Sequence, residues 1–180
     1  MDSKRHAGFG YQDAPSKGGV GKMSGFGDVV NPPSWRHDTV LPLPMEVKSN
    51  AWAVDAACSG NPGPMEYRCT DLATAAQVFH FRPVQGTNNI GEFLAIVHAL
   101  ALMDRQGIRD KVIYSDSYNA ILWVNKKHCK TKLERNAKTE KLYQIIARAE
   151  FWLRSHQVIT PVIKWNTKEW GEIPADFGRK

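Results

Sequence analysis

The first half of the chain contains three short apolar segments that predict consecutive β-strands. They cover residues 51–57, 65–70 and 76–83, and segments containing Gly, Pro, Asn or Asp separate them. Short apolar runs between such turn residues are typical of strands. Because the connections are only a few residues long, neighbouring strands are expected to pair antiparallel. The pattern therefore predicts a three-stranded meander.

After residue 86 the hydrophobic spacing changes from that of a strand to that of a helix. The run Thr87-Asn88-Asn89 offers helix N-caps, and apolar residues follow at positions 90, 93, 94, 97 and 100. A second stripe of this kind, over residues 139–155, consists of Leu142, Ile145, Ile146, Ala149, Trp152 and Leu153. Both patterns predict amphipathic helices.

Shorter elements complete the predicted order β-β-β-α-β-α-α-β-α. A buried strand over residues 111–115 ends at Asp116, a helix follows over 117–125, and a last strand covers 161–165. Pro174 suits the start of a terminal helical turn. A right-handed crossover would bring the strand before Asp116 parallel to the first strand and beside it. We therefore expect an α/β fold with a mixed five-stranded sheet, in which three antiparallel strands are joined by parallel ones.

Residues 1–48 lack any sustained periodicity and are rich in glycine and proline, which predicts a flexible N-terminal extension. Residues 17–22, Lys-Gly-Gly-Val-Gly-Lys, resemble a phosphate-binding loop only superficially. Ser16 and Met23 break the required pattern, and no apolar strand precedes it. Trp35 and residues 40–44 are the part of this extension expected to pack on the domain formed by residues 49–180.

Composition narrows the class of protein. Hydrophobic residues make up 42% of the chain, enough for a core, and no apolar run is long enough to predict a membrane span. The first six residues lack an apolar core, so we expect that they are not a secretory signal. Three cysteines without a Cys-x-x-Cys pair argue against a disulfide framework and a zinc site, so we expect a cytoplasmic protein. The net charge of +6 favours an anionic partner such as nucleic acid.

Four carboxylates at the edges of predicted elements are the candidate chemistry. They are Asp55, Glu92, Asp116 and Asp176. Carboxylates that share one site repel each other unless a cation lies between them, and oxygen ligands without His or Cys suit Mg²⁺ or Mn²⁺. Two such ions about 4 Å apart can activate water and stabilise the leaving oxygen in phosphodiester hydrolysis. Individually, each residue also has a structural explanation as a turn, helix-start, capping or solvated tail residue.

Four segments resemble the motifs of the ribonuclease H family, in its cellular type 1 branch. They are residues 55–64 (Asp-Ala-Ala-Cys-Ser-Gly-Asn-Pro-Gly-Pro), 87–96 (Thr-Asn-Asn-Ile-Gly-Glu-Phe-Leu-Ala-Ile), 114–117 (Tyr-Ser-Asp-Ser) and 175–179 (Ala-Asp-Phe-Gly-Arg). The resemblance extends over residues 51–180. It implies a ribonuclease H-like catalytic domain at 49–180 that cuts the RNA strand of RNA–DNA hybrids, leaving 5′-phosphate and 3′-hydroxyl ends.

The resemblance also implies a set of metal ligands. Two Mg²⁺ ions, with Mn²⁺ as an alternative, would be held by the four carboxylates. Asp55 would match the residue that bridges both ions, Glu92 and Asp116 would share one ion, and Asp176 would hold the other. Asn166 stands ten positions before Asp176, where many relatives carry a mobile His, and Ala56 stands where Gly is more usual. An Asn cannot exchange a proton as His does.

Substrate contacts follow from the same resemblance. Cys58, Gly60 and Asn61 match the turn that lies against the minor groove of the hybrid, and Asn88 and Asn89 match residues that touch its sugars. Recognition of RNA requires donors and acceptors at the 2′-hydroxyl, which agrees with these residue types. Asn61 as a plain turn residue and Asn88 as a helix cap are compatible structural roles.

The segment between Trp123 and Lys141 is strongly basic and resembles the protrusion with which cellular members grip the DNA strand. Its candidate contacts are Lys126, Lys127, Lys130 and Lys132. Lysines paired with phosphates would make binding salt-dependent, whereas the alternative is a solvated charged face. A catalytically inactive hybrid- or RNA-binding module and a ribonuclease H-like domain of a mobile-element enzyme are the other functions considered. We expect a monomer.

Overall fold

The computed structural model describes residues 35–36 and 39–178, which form seven strands and four helices. The strands are β1 (Trp35–Arg36), β2 (Leu43–Pro44), β3 (Ala51–Cys58), β4 (Gly63–Asp71), β5 (Gln77–Gly86), β6 (Val112–Ser115) and β7 (Val162–Lys164). The helices are α1 (Asn88–Gln106), α2 (Tyr118–Lys126), α3 (Glu140–Ser155) and α4 (Thr167–Trp170). The predicted meander and both long helices are therefore confirmed, with boundaries shifted by a few residues.

The main sheet has five strands in the order β5-β4-β3-β6-β7. β3, β4 and β5 form the antiparallel meander, and β6 pairs parallel with both β3 and β7. The predicted mixed sheet and the parallel neighbour of the first strand are confirmed. Because β3 lies in the middle, every residue from Ala51 to Ala57 is buried.

One face of the sheet carries the larger core, against which α1 packs. All five predicted stripe positions of α1 are buried, as are Leu142, Ile146, Ala149 and Leu153 of α3. Ile145 and Trp152 are only partly buried at the margin of the same core. A central helix that is apolar over most of its circumference needs cover on more than one side, and the sheet, α2 and α3 provide it.

The opposite face carries a second core built by two segments that are far apart in the chain. Leu43 and Val47 come from the N-terminal side, and Trp165, Ile173 and Ala175 from the C-terminal side, with 0–1% of each exposed. Thus Leu43, within the predicted stretch 40–44, packs on the domain as expected, whereas Trp35 and Val40 are 38% and 69% exposed. Residues 1–34, including the loop at 17–22, lie outside the described residues, so the predicted flexibility there stays a prediction.

The predicted terminal turn at Pro174 is present as a single hydrogen-bonded turn, and the last helix lies upstream of it. The last helix is α4, which begins after Asn166, whose side-chain oxygen accepts a hydrogen bond from the backbone N–H of Glu169 (3.2 Å). Residues 174–175 form a single turn, in which the N–H of Asp176 donates to the carbonyl of Ile173 (2.8 Å). α4 was not among the predicted elements, and Asn166 caps it by satisfying an N–H that the helix start leaves open.

Candidate metal centre

Three of the four predicted carboxylates converge beside the central strand β3, next to the end of β6. One side-chain oxygen each from Asp55, Glu92 and Asp116 lies within 4.8 Å of the other two. Asp55 is fully buried, Glu92 is 2% exposed and Asp116 is half-buried. Three acidic groups brought this close in a mostly buried position repel one another strongly unless protons or a cation compensate them.

Strand register explains why Asp55 and Asp116 meet. In the parallel pair of β3 and β6, Ala53 lies opposite Tyr114. Two residues further along each chain, Asp55 and Asp116 are therefore level with each other. Asp116 itself follows β6, and Ser117 provides the N-cap of α2 by accepting from the N–H of Ala120 (3.0 Å). The helix-cap explanation for Asp116 is thus excluded.

Close packing of α1 explains the position of Glu92. The helix is capped by Thr87, whose hydroxyl accepts from the N–H of Ile90 (3.2 Å). At Gly91 a Cβ atom would lie 2.9 Å from the Cβ of Ala56 and 2.8 Å from the Sδ of Met65. A side chain at this position would push the helix away from the sheet. Glycine at position 91 therefore brings the next residue, Glu92, down towards β3.

Asp176 is not part of this group of three among the described residues. Its segment nevertheless lies against β4, because Arg68 donates from Nε to the carbonyl of Ala175 (2.8 Å) and from Nη2 to that of Asp176 (2.5 Å). One carboxylate oxygen of Asp176 accepts from the N–H of Gly178 (2.8 Å). A role for Asp176 as a metal ligand stays a prediction.

The donor set fits a hard divalent cation. All three converging atoms are carboxylate oxygens, and the group contains neither His nor Cys. Mg²⁺ and Mn²⁺ prefer such oxygen ligands, whereas zinc sites in proteins are dominated by nitrogen and sulfur. A cation between these groups would also remove the cost of burying like charges together.

A groove with a volume of about 630 Å³ contains several predicted substrate residues. Asn61, Asn89, Lys130 and Lys132 line it, together with Pro62, Gln85, Thr87, Trp123, Thr131, Leu133, Glu134, Asn136, Lys138 and Thr139. Asn61 also accepts from the N–H of Asn88 through its side-chain oxygen (3.0 Å), which ties the turn after β3 to the start of α1. The remaining predicted contacts, Cys58, Gly60, Asn88, Lys126 and Lys127, do not line the groove.

The side chain of Cys58 makes contacts that stabilise the local fold. Its Sγ lies 3.6 Å from the carbonyl oxygen of Gly63 and 3.5 Å from that of Gly86, as a weak donor would. Partial burial raises the pKa of this thiol, while the hydrogen bond to Gly63 acts in the opposite direction. The side chain therefore stays protonated near neutral pH and holds the turn between β3 and β4 against the end of β5.

A comparison of the sequence with protein families decides the family. A profile of the RNase H family matches residues 47–166, more than half of the chain. The chain belongs to the RNase H family. The matched range includes Asp55, Glu92 and Asp116 and ends before Asp176. The family predicted from the four motifs is therefore confirmed.

Solved structures similar to this RNase H family member include three RNase H proteins. The N-terminal RNase H domain of Rv2228c from Mycobacterium tuberculosis is 16% identical, with a TM-score of 0.38, and the match covers 63% of this chain and 83% of that one. RNase H1 from Halobacterium salinarum is 19% identical, with a TM-score of 0.38 and coverages of 63% and 80%. LC11-RNase H1 in complex with an RNA/DNA hybrid is 18% identical, with a TM-score of 0.35 and coverages of 66% and 87%.

The basic segment of this RNase H family member is anchored by side chains. The carboxylate of Glu150 on α3 lies 3.0 Å from Nδ1 of His128 and accepts from the N–H of Cys129 (2.8 Å). Thr139 donates its hydroxyl to the carbonyl of Glu134 and accepts from the N–H of Asn136, each at 2.8 Å. These bonds hold a segment without regular structure along one wall of the groove.

Asn166 serves as the cap of α4 in this protein. A capping side chain that accepts a backbone hydrogen bond is fixed in place, so the residue does not substitute for a mobile His. In the described part of the chain, no helix combines the length and the hydropathy needed to cross a bilayer. Among the predicted site residues, Asp55, Glu92 and Asp116 lie together. Two of the four predicted lysines, Lys130 and Lys132, line the groove.

Proposed function

We propose that this RNase H family member hydrolyses the RNA strand of RNA–DNA hybrids, as a type 1 enzyme, and leaves 5′-phosphate and 3′-hydroxyl ends. The observation that carries the proposal is the convergence of the Asp55, Glu92 and Asp116 oxygens within 4.8 Å. A cluster of hard oxygen ligands beside a basic groove suits a polyanionic substrate, whose phosphates the groove binds while the carboxylates face the reacting bond.

In this proposal each carboxylate acts as a ligand. Asp55, Glu92 and Asp116 hold the divalent ions, Mg²⁺ or Mn²⁺, and Asp176 completes the set from the C-terminal segment. The ions would supply an activated water and charge stabilisation at the leaving oxygen. Burial of Asp55 and Glu92 excludes bulk water from the ligands and fixes their rotamers, which favours one arrangement of the reacting groups.

Side chains that line the groove would select the substrate. Asn61 and Asn89 offer amide donors and acceptors of the kind that distinguish a 2′-hydroxyl from hydrogen. Lys130 and Lys132 line the same groove and would pair with phosphates of the DNA strand. Cys58, Gly60 and Asn88 would act mainly by shaping the turn and the helix start next to the substrate, and Lys126 and Lys127 would act from outside the groove.

The test is cleavage of end-labelled duplexes by the purified full chain in the presence of Mg²⁺. Cleavage of RNA is expected only when the RNA is paired to DNA, and chelation should stop it. Asp55→Asn should lower kcat by on the order of 10³-fold, since loss of a metal ligand removes several kcal/mol of transition-state stabilisation. Its far-UV circular dichroism and hybrid affinity should be retained.

The matched control is Asp104→Asn, an exposed Asp near the end of α1 that pairs with Arg109 (3.6 Å). This variant should cleave like the wild type. Tight hybrid binding by the wild type without cleavage would show an inactive binding module instead, and strand-transfer products would show a mobile-element enzyme. Retained activity in Asp55→Asn would contradict the metal assignment.

A further inference from the structure

Arg68 occupies a distinctive position next to the carboxylate cluster. It lies on β4, where the strand register places it opposite Asp55 on β3 and opposite His80 on β5. Asp55 is part of the cluster, whereas the guanidinium group of Arg68 contacts the C-terminal segment. Nothing in the motif pattern singles this residue out.

The guanidinium group of Arg68 contacts three consecutive residues. Nε donates to the carbonyl of Ala175 (2.8 Å), Nη2 donates to the carbonyl of Asp176 (2.5 Å), and the group lies over the ring of Phe177, 4.6 Å from its centroid. A planar fork of donors with a flat face can make all of these contacts at once, whereas the point charge of a lysine cannot.

These contacts fix the backbone on both sides of Asp176. Upstream, Ile173 and Ala175 are buried in the second core, with 1% and 0% exposed. From Ala175 to Phe177 the segment lacks regular secondary structure, so no ladder of backbone hydrogen bonds holds it. Arg68 supplies the missing hydrogen bonds from the sheet, and it does so at the strand position that faces Asp55.

We propose that Arg68 is a positioning residue that holds the Asp176 backbone so that the Asp176 carboxylate can serve the metal site. This inference rests on the proposed function, because Asp176 matters only if it is a ligand. Arg68 takes no part in the chemistry itself. It links the β4 position opposite Asp55 to a segment more than 100 residues away, and thereby sets where the last carboxylate lies relative to the first.

The central experiment is a double-mutant cycle between Arg68→Lys and Asp176→Asn. Arg68→Lys keeps the charge but loses the fork, and it should lower kcat by about 10- to 100-fold, the usual cost of losing a group that orients a metal ligand. The KM for the hybrid should not change. In the Asp176→Asn background, Arg68→Lys should change kcat by less than about twofold, because the group through which it acts is already removed.

One further variant serves as a control and another as a second test. Arg82→Lys makes the same substitution at an exposed arginine on β5 and should behave like the wild type. Phe177→Leu removes the ring under the guanidinium, together with its contact with the His80 ring on β5 (6.1 Å between centroids), and leaves every residue of the sheet unchanged. It should shift kcat in the same direction as Arg68→Lys, by a smaller factor, and it keeps the test valid if Arg68→Lys does not fold.

A readout that does not depend on cleavage is amide hydrogen exchange in residues 173–178. Arg68→Lys should accelerate exchange there and leave β3 and α1 unchanged, whereas Arg82→Lys should have no effect. Equal losses of kcat from Arg68→Lys in both backgrounds, or unchanged exchange in this segment, would overturn the proposal.

Failure of the proposed function would be visible separately, as a wild-type chain that cleaves no hybrid. Mn²⁺ binding, followed by electron paramagnetic resonance, then decides the role of Arg68. Arg68→Lys and Asp176→Asn should weaken Mn²⁺ binding by similar factors, and the double variant should be no weaker than Asp176→Asn alone. Unchanged binding in Arg68→Lys, or independent effects of the two substitutions, would contradict the inference.

Discussion

Two charged regions of this molecule are built on opposite principles. The carboxylate cluster is held by regular elements, with Asp55 and Glu92 buried and Asp116 half-buried. The basic segment, which we define as residues 126–139, has no helix or strand after α2 ends, and its lysines are exposed. One region concentrates charge where water is excluded, whereas the other displays charge to solvent.

The difference reflects what each region has to do. Metal ligands must be placed to within a fraction of an ångström, and strand register together with helix packing achieves this through many small contacts. Phosphate contacts act over a longer range and tolerate movement, so a few side-chain hydrogen bonds are sufficient to hold the lysines. Substitutions should therefore separate into effects on kcat in the first region and effects on affinity in the second.

The largest effect on hybrid affinity is expected from removing Lys130 and Lys132, two of the three lysines that line the groove. Lys130→Gln combined with Lys132→Gln should weaken hybrid binding about tenfold per lost phosphate contact at 0.1 M salt. The slope of log affinity against log salt should fall by about two. Fluorescence anisotropy with a labelled hybrid, measured from 50 to 200 mM salt with Asp55→Asn to prevent cleavage, gives both quantities.

The matched comparison uses lysines outside the groove. Lys168→Gln, on the exposed side of α4, should leave affinity and slope unchanged. Lys126→Gln combined with Lys127→Gln should have a smaller effect than the groove pair, since neither residue lines the groove. An equal loss from both pairs would mean that the whole basic segment acts through its net charge and that the groove has no special role.

Much of the fold was predictable because local signals agreed with the final packing. The three strands of the meander, the stripe on α1 and the crossover to β6 each follow from short-range patterns that the tertiary structure does not oppose. The second core was less predictable. Leu43 and Trp165 are far apart in the chain and carry no periodic signal, so their place in one core depends on the completed sheet.

The residues of the candidate site also separate into those that local sequence patterns predict and those that depend on long-range contacts. Asp55, Glu92 and Asp116 could be predicted because each lies in or directly after a recognisable element. The contact of Arg68 with the backbone of Asp176 spans 108 residues. Its acceptors are backbone carbonyls, which every residue has, so residue types in the sequence do not indicate the contact. Gln85, Thr131 and Asn136 in the groove were missed, because polar side chains in loops and strand ends look like ordinary surface residues.

The next largest effect is expected from changing how α1 packs on the sheet next to the carboxylate cluster. Gly91→Ala should destabilise the protein by about 1–2 kcal/mol, because overpacking costs about 1–3 kcal/mol and the better helix propensity of Ala returns up to about 1 kcal/mol. Displacement of α1 should also lower kcat, since Glu92 is the next residue. Urea denaturation and hybrid cleavage provide the two measurements.

The partner substitution Ala56→Gly makes this test specific. The two Cβ atoms would lie 2.9 Å apart, so removing the methyl of Ala56 should recover part of the stability and the kcat lost in Gly91→Ala. Ala56→Gly alone should destabilise by up to about 1 kcal/mol, since glycine weakens a strand. Strictly additive effects would show that the flexible Met65 side chain, rather than β3, limits the approach of α1.

The smallest effect is expected in the second region, at Thr139. Its hydroxyl bonds to the carbonyl of Glu134 and to the N–H of Asn136, and the residue is 4% exposed. Thr139→Val preserves the shape but leaves those backbone groups without the hydroxyl, which should cost about 1 kcal/mol of stability. Hybrid affinity should decrease because the wall carrying Lys130 and Lys132 becomes more mobile, while kcat at saturating hybrid should not change.

Thr139→Ser keeps the hydroxyl and should behave like the wild type in both denaturation and binding. A loss of kcat in Thr139→Val with unchanged affinity would show that the two regions are coupled, and the separation drawn between them would then be wrong.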